Sequence, residues 1–307
     1  MADFESRENP VFGRKVFFIN PSFSIEQIAK NRLRNMEYET YIISDYRYAK
    51  GILKKNPDSI CLINLDHVGD KSLTVVQWLN FLISCEKDPE LESIFFGVLS
   101  VNTSPRQMNM FFYNTKLPAG YIPASPNKDD LAETLACILD VNGAKGRRQY
   151  VRATCEARGT AFINLRIRGE EYKFPIVDFS SVGLACQIPD GCCGMISENT
   201  LLQNVELFLL GEKFITSLIV LKEFKRGDKN TLITLLSKGV STEVKNKIRS
   251  YVFRILESII DSNTEFNNPD TTEYSLKFEK VDKKDMVVNV EDLSAKGPEL
   301  PAELESI

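Results

Sequence analysis

Two short groups of residues near the middle of the chain carry side chains that suit a nucleotide ligand. Arg148 and Arg152 form an R-x-x-x-R pattern, and the later segment from Asp178 through Ser180 to Gly183 reads D-x-S-x-x-G. The planar arginine fork pairs with guanine O6 and N7, stacks on a base and holds a phosphate. An aspartate accepts hydrogen bonds from the N–H groups of guanine, and a serine hydroxyl can donate or accept. Gly183 lacks a Cβ, so the backbone there can approach a neighbour closely or adopt a positive φ.

Charge is unevenly distributed along the 307 residues, which include 38 basic and 42 acidic side chains and carry a net charge of −4. The segment 144–170 holds seven basic side chains against two acidic ones, which makes it +5 and leaves −9 for the rest. The seven are Lys145, Arg147, Arg148, Arg152, Arg158, Arg166 and Arg168. A basic segment in an acidic chain predicts a local anionic partner and argues against a long nucleic acid. We expect Arg158, Arg166 and Arg168 to be solvated cations on an exposed sheet face.

Residues 14–142 alternate between short apolar runs and amphipathic stretches, which predicts five βα units in a parallel sheet covered on both faces. The predicted strands are 15–20, 38–44, 59–65, 93–100 and 120–124. The predicted helices are 24–35, 46–55, 73–86, 104–113 and 128–139, the first of them capped by Ser24 with Gln27 three residues on. Their number and length fit the five-stranded flavodoxin-like order, whose ligand site lies at the carboxyl ends of the strands.

After the linker 142–146 the pattern changes to period two, which predicts an antiparallel β-barrel. The predicted strands are 150–157, 161–168, 171–178, 183–188, 204–210, 213–224 and 231–236. The segment 241–260 returns to helical periodicity and places Val244, Ile248, Val252, Ile255 and Ile259 on one stripe that should pack on the barrel. The predicted organisation is an extension 1–13, an α/β domain 14–143, a β-barrel domain 144–263 and a polar tail 264–307.

The two motifs, in this order at the start of the β-rich region, resemble those of the PilZ family of cyclic di-GMP receptors. The resemblance covers residues 145–260 and includes the strand count and the C-terminal amphipathic helix. It implies a cyclic di-GMP site formed by Arg148, Arg152, Asp178, Ser180 and Gly183. In this family the residue just before the first motif influences whether one ligand or a stacked pair is bound, which implies that Arg147 contacts a second molecule.

The N-terminal region resembles a response-regulator receiver in the order of its strands and helices. Asp66 follows the third predicted strand, where a receiver carries its phosphoacceptor. However, the first strand ends in Asn20-Pro21-Ser22 instead of an acidic pair, so Mg²⁺ has no cluster of hard oxygen ligands. The fifth strand ends in Ile122-Pro123-Ala124-Ser125, without the lysine that a receiver carries there. The resemblance therefore implies a degenerate receiver used for contacts, with phosphorylation of Asp66 as the alternative.

The sequence argues against several other classes of protein. His67 is the only histidine, which excludes mechanisms that need two and leaves no metal shell around it. The seven cysteines form an odd set without a C-x-x-C pair and read as reduced core thiols: Cys61, Cys85, Cys137, Cys155, Cys186, Cys192 and Cys193. A polar, acidic N-terminus and the lack of an 18-residue apolar run predict a cytoplasmic chain without a membrane span.

We therefore expect a non-enzymatic cyclic di-GMP receptor, with no catalytic residues, metal or cofactor, that signals to a protein partner through the arrangement of its two domains. A response regulator phosphorylated at Asp66 is the second hypothesis. A protein-binding or RNA-binding module is the third, in which Tyr150, Phe162 and Phe174 are the candidate stacking aromatics. An enzyme is least supported, since the chain has no glycine-rich phosphate loop, H-E-x-x-H or G-x-S-x-G motif.

Overall fold

The computed structural model describes residues 13–66, 68, 72–102, 104–155, 161–226, 229–264 and 269–274. The chain divides into two compact units, 1–273 and 274–307, and every described helix and strand belongs to the first. The predicted extension up to residue 12, His67, Arg158 and the predicted tail beyond residue 274 lie outside the described residues.

The N-terminal domain is built on a five-stranded parallel sheet in the order β2-β1-β3-β4-β5, which confirms the predicted architecture. The strands are β1 (Val16–Ile19), β2 (Thr40–Ile43), β3 (Ile60–Asn64), β4 (Phe95–Ser100) and β5 (Gly120–Pro123). Every residue of β1 and β3 is buried, because helices cover both faces of the sheet. Parallel pairing brings the carboxyl ends of all five strands to one edge.

Helices alternate with these strands, and side-chain caps fix where several of them begin. They are α1 (Phe23–Gln27), α2 (Ala49–Lys54), α3 (Val75–Glu86), α4 (Pro105–Asn114) and α5 (Lys128–Val141). The predicted cap at Ser24 is wrong: the hydroxyl of Ser22 accepts from the N–H of Ile25, so the helix begins two residues earlier. The chain then continues as a π-helix over Ile28–Leu33, which the periodicity did not predict.

The second domain is a closed antiparallel β-barrel of six strands, with a seventh strand attached. The strands are β6 (Arg152–Thr154), β7 (Ala161–Ile167), β8 (Glu170–Ser180), β9 (Gly183–Gln187), β10 (Leu201–Leu209), β11 (Glu212–Arg226) and β12 (Lys229–Leu236). The barrel order is β8-β7-β10-β11-β12-β9, and pairing of β9 with β8 closes it. The short strand β6 pairs with the last three residues of β8. This domain too has the predicted fold class.

The C-terminal helix α6 (Thr242–Thr264) packs on the barrel, as its apolar stripe predicted. Ile248 and Val252 are fully buried in the barrel core, and Val244 and Ile255 pack against it. The prediction that Ile259 packs on the barrel with this stripe is wrong, since its side chain is 41% exposed.

The seven thiols are all free, but only part of the set lies in the two cores. Cys61, Cys85, Cys186 and Cys192 are buried, while Cys137 and Cys193 are exposed, contrary to the prediction that the cysteines are core residues. Burial holds the pKa of the Cys186 thiol well above its usual range. Within the described part of the chain, no helix is both long and apolar enough to cross a membrane.

Candidate functional site

Strand pairing brings the two sequence motifs together on one face of the sheet. In the β6–β8 ladder Arg152 lies opposite Ser180, and Thr154 lies opposite Asp178. Directly opposite residues of an antiparallel pair point to the same face, so all four side chains share the face that is not directed to the core. Arg152 is exposed and Asp178 is half-buried. The register therefore places the second arginine of the first motif opposite the serine of the second motif and diagonally across from its aspartate.

Arg152, Thr154 and Asp178 line a cleft of 190 Å³ where the linker, the barrel and the N-terminal domain meet. Its lining consists of Gly13, Glu37, Glu39, Ala144, Lys145, Gly146, Arg148, Tyr150, Val151, Arg152, Thr154 and Asp178. Three of the six predicted binding residues are thus brought together: Arg148, Arg152 and Asp178. The other three, Arg147, Ser180 and Gly183, are not among the lining residues.

Ser180 and Gly183 shape the turn of the second motif. The Ser180 hydroxyl donates to the carbonyl of Gly183 at 3.1 Å and accepts from the N–H of Val182 at 3.4 Å. Gly183 begins β9 and is not one of the glycines with positive φ. A Cβ built at Gly183 would lie 2.3 Å from the carbonyl oxygen of Thr234 on β12. Its role in this structure is therefore close packing against a neighbouring strand.

The linker between the two domains has no regular structure, and its arginines face solvent. Residues 144–151 form neither helix nor strand, and both Arg147 and Arg148 are exposed. The linker lies against the start of the described chain, where a Cβ at Gly13 would come within 2.1 Å of the carbonyl oxygen of Ala144. Of these two exposed arginines, Arg148 lines the cleft.

Two carboxylates of the N-terminal domain form the opposite wall of the cleft, and the sequence analysis missed both. Glu37 and Glu39 lie just before β2. The Glu37 carboxylate accepts from the backbone N–H of Val151 at 3.1 Å and from the Ser181 hydroxyl at 2.7 Å. It also pairs with the guanidinium of Arg249 on α6 at 3.2 Å. Val151 lies inside the first motif and Ser181 inside the second, so one side chain contacts both.

A second group of contacts joins the two domains beside the cleft. Arg34 lies 4.4 Å from the ring centroid of Phe253 on α6 and forms an ion pair with Glu257 at 2.6 Å. Arg249 also donates to the amide oxygen of Asn35 at 3.0 Å. The guanidinium of Arg34 is held in place by the carbonyl of Thr40 at 2.8 Å. The N-terminal domain therefore docks on the barrel helix through buried and half-buried charged groups.

Cys155, beside the cleft on the barrel side, is half-buried against the barrel core. Cys155 follows β6, and its backbone N–H donates to the carbonyl of Val177 at 2.8 Å. Burial, together with the negative charge of Asp178, raises the pKa of the Cys155 thiol to about 11.

The predicted phosphoacceptor Asp66 lies at the carboxyl edge of the parallel sheet, with both oxygens engaged. One oxygen accepts from the Ser100 hydroxyl and the other from the N–H of Val101, each at 2.9 Å. The side-chain amide of Asn20 lies next to Asp66 and donates to the backbone carbonyls of Asn64 and Asp66 at 2.8 and 3.0 Å. No group of three potential metal-ligating side chains occurs among the described residues. Phosphorylation of Asp66 stays a prediction, and this closed network does not favour it.

The three aromatics proposed for stacking on RNA bases do not form an open platform. Phe174 is fully buried in the barrel core. Phe162 stacks on Phe208 at 4.6 Å, and the ammonium of Lys173 lies 3.8 Å from the centroid of its ring. Only Tyr150, which is 38% exposed, borders the cleft. Arg166 is exposed on β7, as predicted, whereas Arg168 is exposed in the turn after β7 and not on the sheet face.

Comparison with known proteins gave matches to solved structures only. No protein-family model matches the sequence, and no curated protein matches it. The chain is similar to the PilZ domain of YcgR from Escherichia coli with c-di-GMP, at 16% identity and a TM-score of 0.34, over 38% of this chain and 96% of that one. It is similar to the c-di-GMP complex of MrkH from K. pneumonia, at 23% identity and a TM-score of 0.33, over 39% and 56% of the two chains.

A third similar structure is the chemotaxis response regulator CheY4 of Vibrio cholerae, at 18% identity and a TM-score of 0.33, over 41% of this chain and 98% of that one. The chain spans about half the length of the YcgR and MrkH chains in their c-di-GMP complexes, 51% and 56%. These structures are thus a PilZ domain, a c-di-GMP complex and a chemotaxis response regulator.

Proposed function

We propose that this chain is a non-enzymatic receptor for cyclic di-GMP, which binds in the cleft between the linker and the barrel. The observation that carries the proposal is that Arg148, Arg152 and Asp178, taken from two separate motifs, line one cleft. The cleft thus combines exposed cations with a half-buried carboxylate acceptor. A ligand with phosphates and guanine bases uses both kinds of group.

Each lining residue has a chemical role toward such a ligand. The guanidinium groups of Arg148 and Arg152 hold a phosphodiester or pair with guanine O6 and N7. The carboxylate of Asp178 accepts from guanine N1–H and N2–H. The exposed ring of Tyr150 offers a face on which a base can stack. Ser180 and Gly183 support this site indirectly, since they form the turn that ends β8 and starts β9.

The signal in this proposal is a change in the arrangement of the two domains. The first motif starts in the linker 144–151, which has no regular structure, and ends at Arg152, the first residue of β6, so a ligand that contacts both arginines fixes the linker against the barrel. A ligand shifts an equilibrium between two arrangements only by its different affinity for them. The cleft meets this requirement because the N-terminal domain forms one of its walls. A protein partner would then read the resulting domain arrangement.

Titration calorimetry with cyclic di-GMP tests the proposal, with GTP and cyclic AMP as ligand controls. We expect binding by the wild-type chain and an affinity about 30-fold weaker or more for the Arg148→Ala/Arg152→Ala variant, because two bidentate contacts at about 1–3 kcal/mol each are lost. Arg166→Ala/Arg168→Ala removes the same charge from exposed positions of the β7–β8 hairpin and should bind normally. Thermal unfolding checks that both variants are folded. Unchanged affinity of the first variant would remove the proposed site.

A further inference from the structure

We propose that Glu37 is a latch that holds the cleft narrow, and that cyclic di-GMP must release this latch in order to bind. The inference rests on the proposed function and adds the regulation of the same site. It assigns to a residue of the N-terminal domain the control of how readily the barrel domain takes its ligand.

The contacts of Glu37 tie together the three parts of the barrel domain that border the site. One carboxylate oxygen accepts from the N–H of Val151, between the two arginines of the first motif. The other accepts from the Ser181 hydroxyl in the second motif and from the guanidinium of Arg249 on α6. Only 11% of the Glu37 side chain is exposed. Four hydrogen bonds therefore converge on one nearly buried carboxylate, and all four come from the other domain.

The backbone of Glu37 points to the same role for its side chain. Glu37 has a φ of 64° where the helical segment that includes Arg34 ends. This left-handed conformation at the end of a helix favours glycine, because a Cβ is crowded there. Glycine would adopt this backbone conformation with the least strain, yet the position carries a long acidic side chain. A role of that side chain outside its own domain accounts for its presence.

The size of the cleft makes the contacts of Glu37 an obstacle to the ligand. The cleft has a volume of 190 Å³. Pockets for drug-sized molecules measure about 300–1,000 Å³, and a cyclic dinucleotide with two bases and two sugars is larger than a typical drug. A cyclic dinucleotide held between the two walls of the cleft therefore needs these walls to move apart. Since Glu37 joins the N-terminal wall to the linker wall at Val151, that contact has to break.

Electrostatic repulsion between the ligand and the N-terminal wall, like the small volume of the cleft, favours separation of the cleft walls. Glu39 and Glu37, whose charge is partly offset by Arg249, both line the cleft, and cyclic di-GMP brings two phosphodiester charges into it. Like charges at short range oppose each other, so the ligand favours an arrangement in which this wall has withdrawn. Linkage is reciprocal: if the ligand weakens the latch, the latch weakens the affinity for the ligand by the same factor.

The Glu37→Gly variant separates the latch from the backbone, because glycine suits the left-handed conformation and removes only the side chain. We expect it to bind cyclic di-GMP about tenfold more tightly than the wild-type chain, within the range typical of coupling between sites. In the ligand-free state, amide hydrogen exchange of the peptide 147–152 should become faster. Asp58→Gly is the matched control, with the same charge change at a residue of φ 59° whose side chain is 73% exposed.

The outcomes distinguish this inference from the proposed function. Unchanged or weaker affinity of Glu37→Gly overturns the latch, and so does unchanged exchange in its ligand-free linker. If neither the wild-type chain nor Glu37→Gly binds cyclic di-GMP, the proposed function fails and the release step fails with it. Glu37→Gln keeps the side-chain length without its charge, and it should show a smaller increase in affinity than Glu37→Gly if the hydrogen bonds contribute besides the charge.

Discussion

The carboxyl edge of the parallel sheet and the cleft beside the linker differ in how their polar groups are paired. At the sheet edge, Asn20, Asn64 and Asp66 bond to one another and to Ser100, so their donors and acceptors are used within the domain. In the cleft, arginines are exposed next to the half-buried Asp178. The edge where α/β folds usually place their ligands is therefore closed, and the charged groups are presented at the junction of the domains.

This difference shows that the carboxyl edge of a parallel sheet forms a ligand site only if the residues there have polar groups left for a ligand. A parallel sheet brings strand ends together whatever residues they carry, and here they carry mainly amides and hydroxyls that satisfy one another. The linker residues 144–151 form neither helix nor strand, and Arg147 and Arg148 are exposed there. We therefore expect a ligand to act at these arginines and the sheet edge to contribute to stability.

The largest expected effect tests whether the cleft recognises geometry or only charge. The variant Arg148→Lys/Arg152→Lys keeps both positive charges and removes both planar forks, so its affinity for cyclic di-GMP should fall about 100-fold. Calorimetry measures the loss, and Arg166→Lys/Arg168→Lys is the control. Retention of full affinity would show that the cleft attracts the ligand by charge alone.

The second prediction tests whether Asp66 serves stability. Asp66→Ala removes the acceptor of the Ser100 hydroxyl and of the Val101 N–H, which should cost about 2 kcal/mol of the free energy of unfolding. Denaturant unfolding measures this loss, while affinity for cyclic di-GMP should not change. Labelling of the wild-type chain by acetyl phosphate, absent in Asp66→Ala, would contradict the comparison and revive the response-regulator hypothesis.

The third prediction concerns the other aspartate of the comparison, Asp178. Asp178→Ala should weaken cyclic di-GMP binding about tenfold, because a charged acceptor of guanine N–H groups is worth about 1.5–3 kcal/mol. Stability should change less than in Asp66→Ala, since Asp178 faces the cleft. Calorimetry and denaturant unfolding of both variants give the two readouts. If Asp178→Ala lowers the free energy of unfolding but leaves the affinity for cyclic di-GMP unchanged, Asp178 is not part of the binding site.

The smallest effect tests the packing of the barrel side of the cleft. With a pKa raised to about 11, the Cys155 thiol is about one part in a thousand thiolate at pH 8 and should react slowly with iodoacetamide. The exposed thiols of Cys137 and Cys193 should react first. Removal of the nearby charge in Asp178→Ala lowers the pKa of Cys155, so its alkylation should become faster. Mass spectrometry of tryptic peptides follows each thiol, and equal rates at all three would contradict the packing described.

The sequence was sufficient to predict the elements and the order of the parallel strands, because those strands are continuous apolar runs that must be buried on both faces. Residue type and spacing also singled out Arg148, Arg152 and Asp178, which line one cleft in the structure. The cap at Ser24 failed because two serines lie within three positions of one another, and the pattern of Gln27 favoured the wrong one.

Glu37 could not be predicted, and the reason is physical. Its role depends on a left-handed backbone and on partners that are 114 to 212 residues away in the chain. No local pattern marks either condition. The predicted burial of Ile259 was wrong for a related reason. The helical stripe predicts an apolar face, but it does not show where the barrel beneath the helix ends. Ser181 lies inside the second motif and could have been considered as a contact residue. The motif leaves its position unspecified, so it was not singled out.

The pairing of Arg152 with Ser180 determines which changes of chain length the site tolerates. The β7–β8 hairpin turns at Arg168 and Gly169, whose φ values are 53° and 92°, at the end of β8 remote from β6. Two residues added at that turn would lengthen the hairpin and leave Arg152 opposite Ser180. One residue inserted between Asp178 and Ser180 would turn one of the two away from the arginine, because side chains alternate along a strand. Related chains can therefore differ in the number of residues between the two motifs and still share this site.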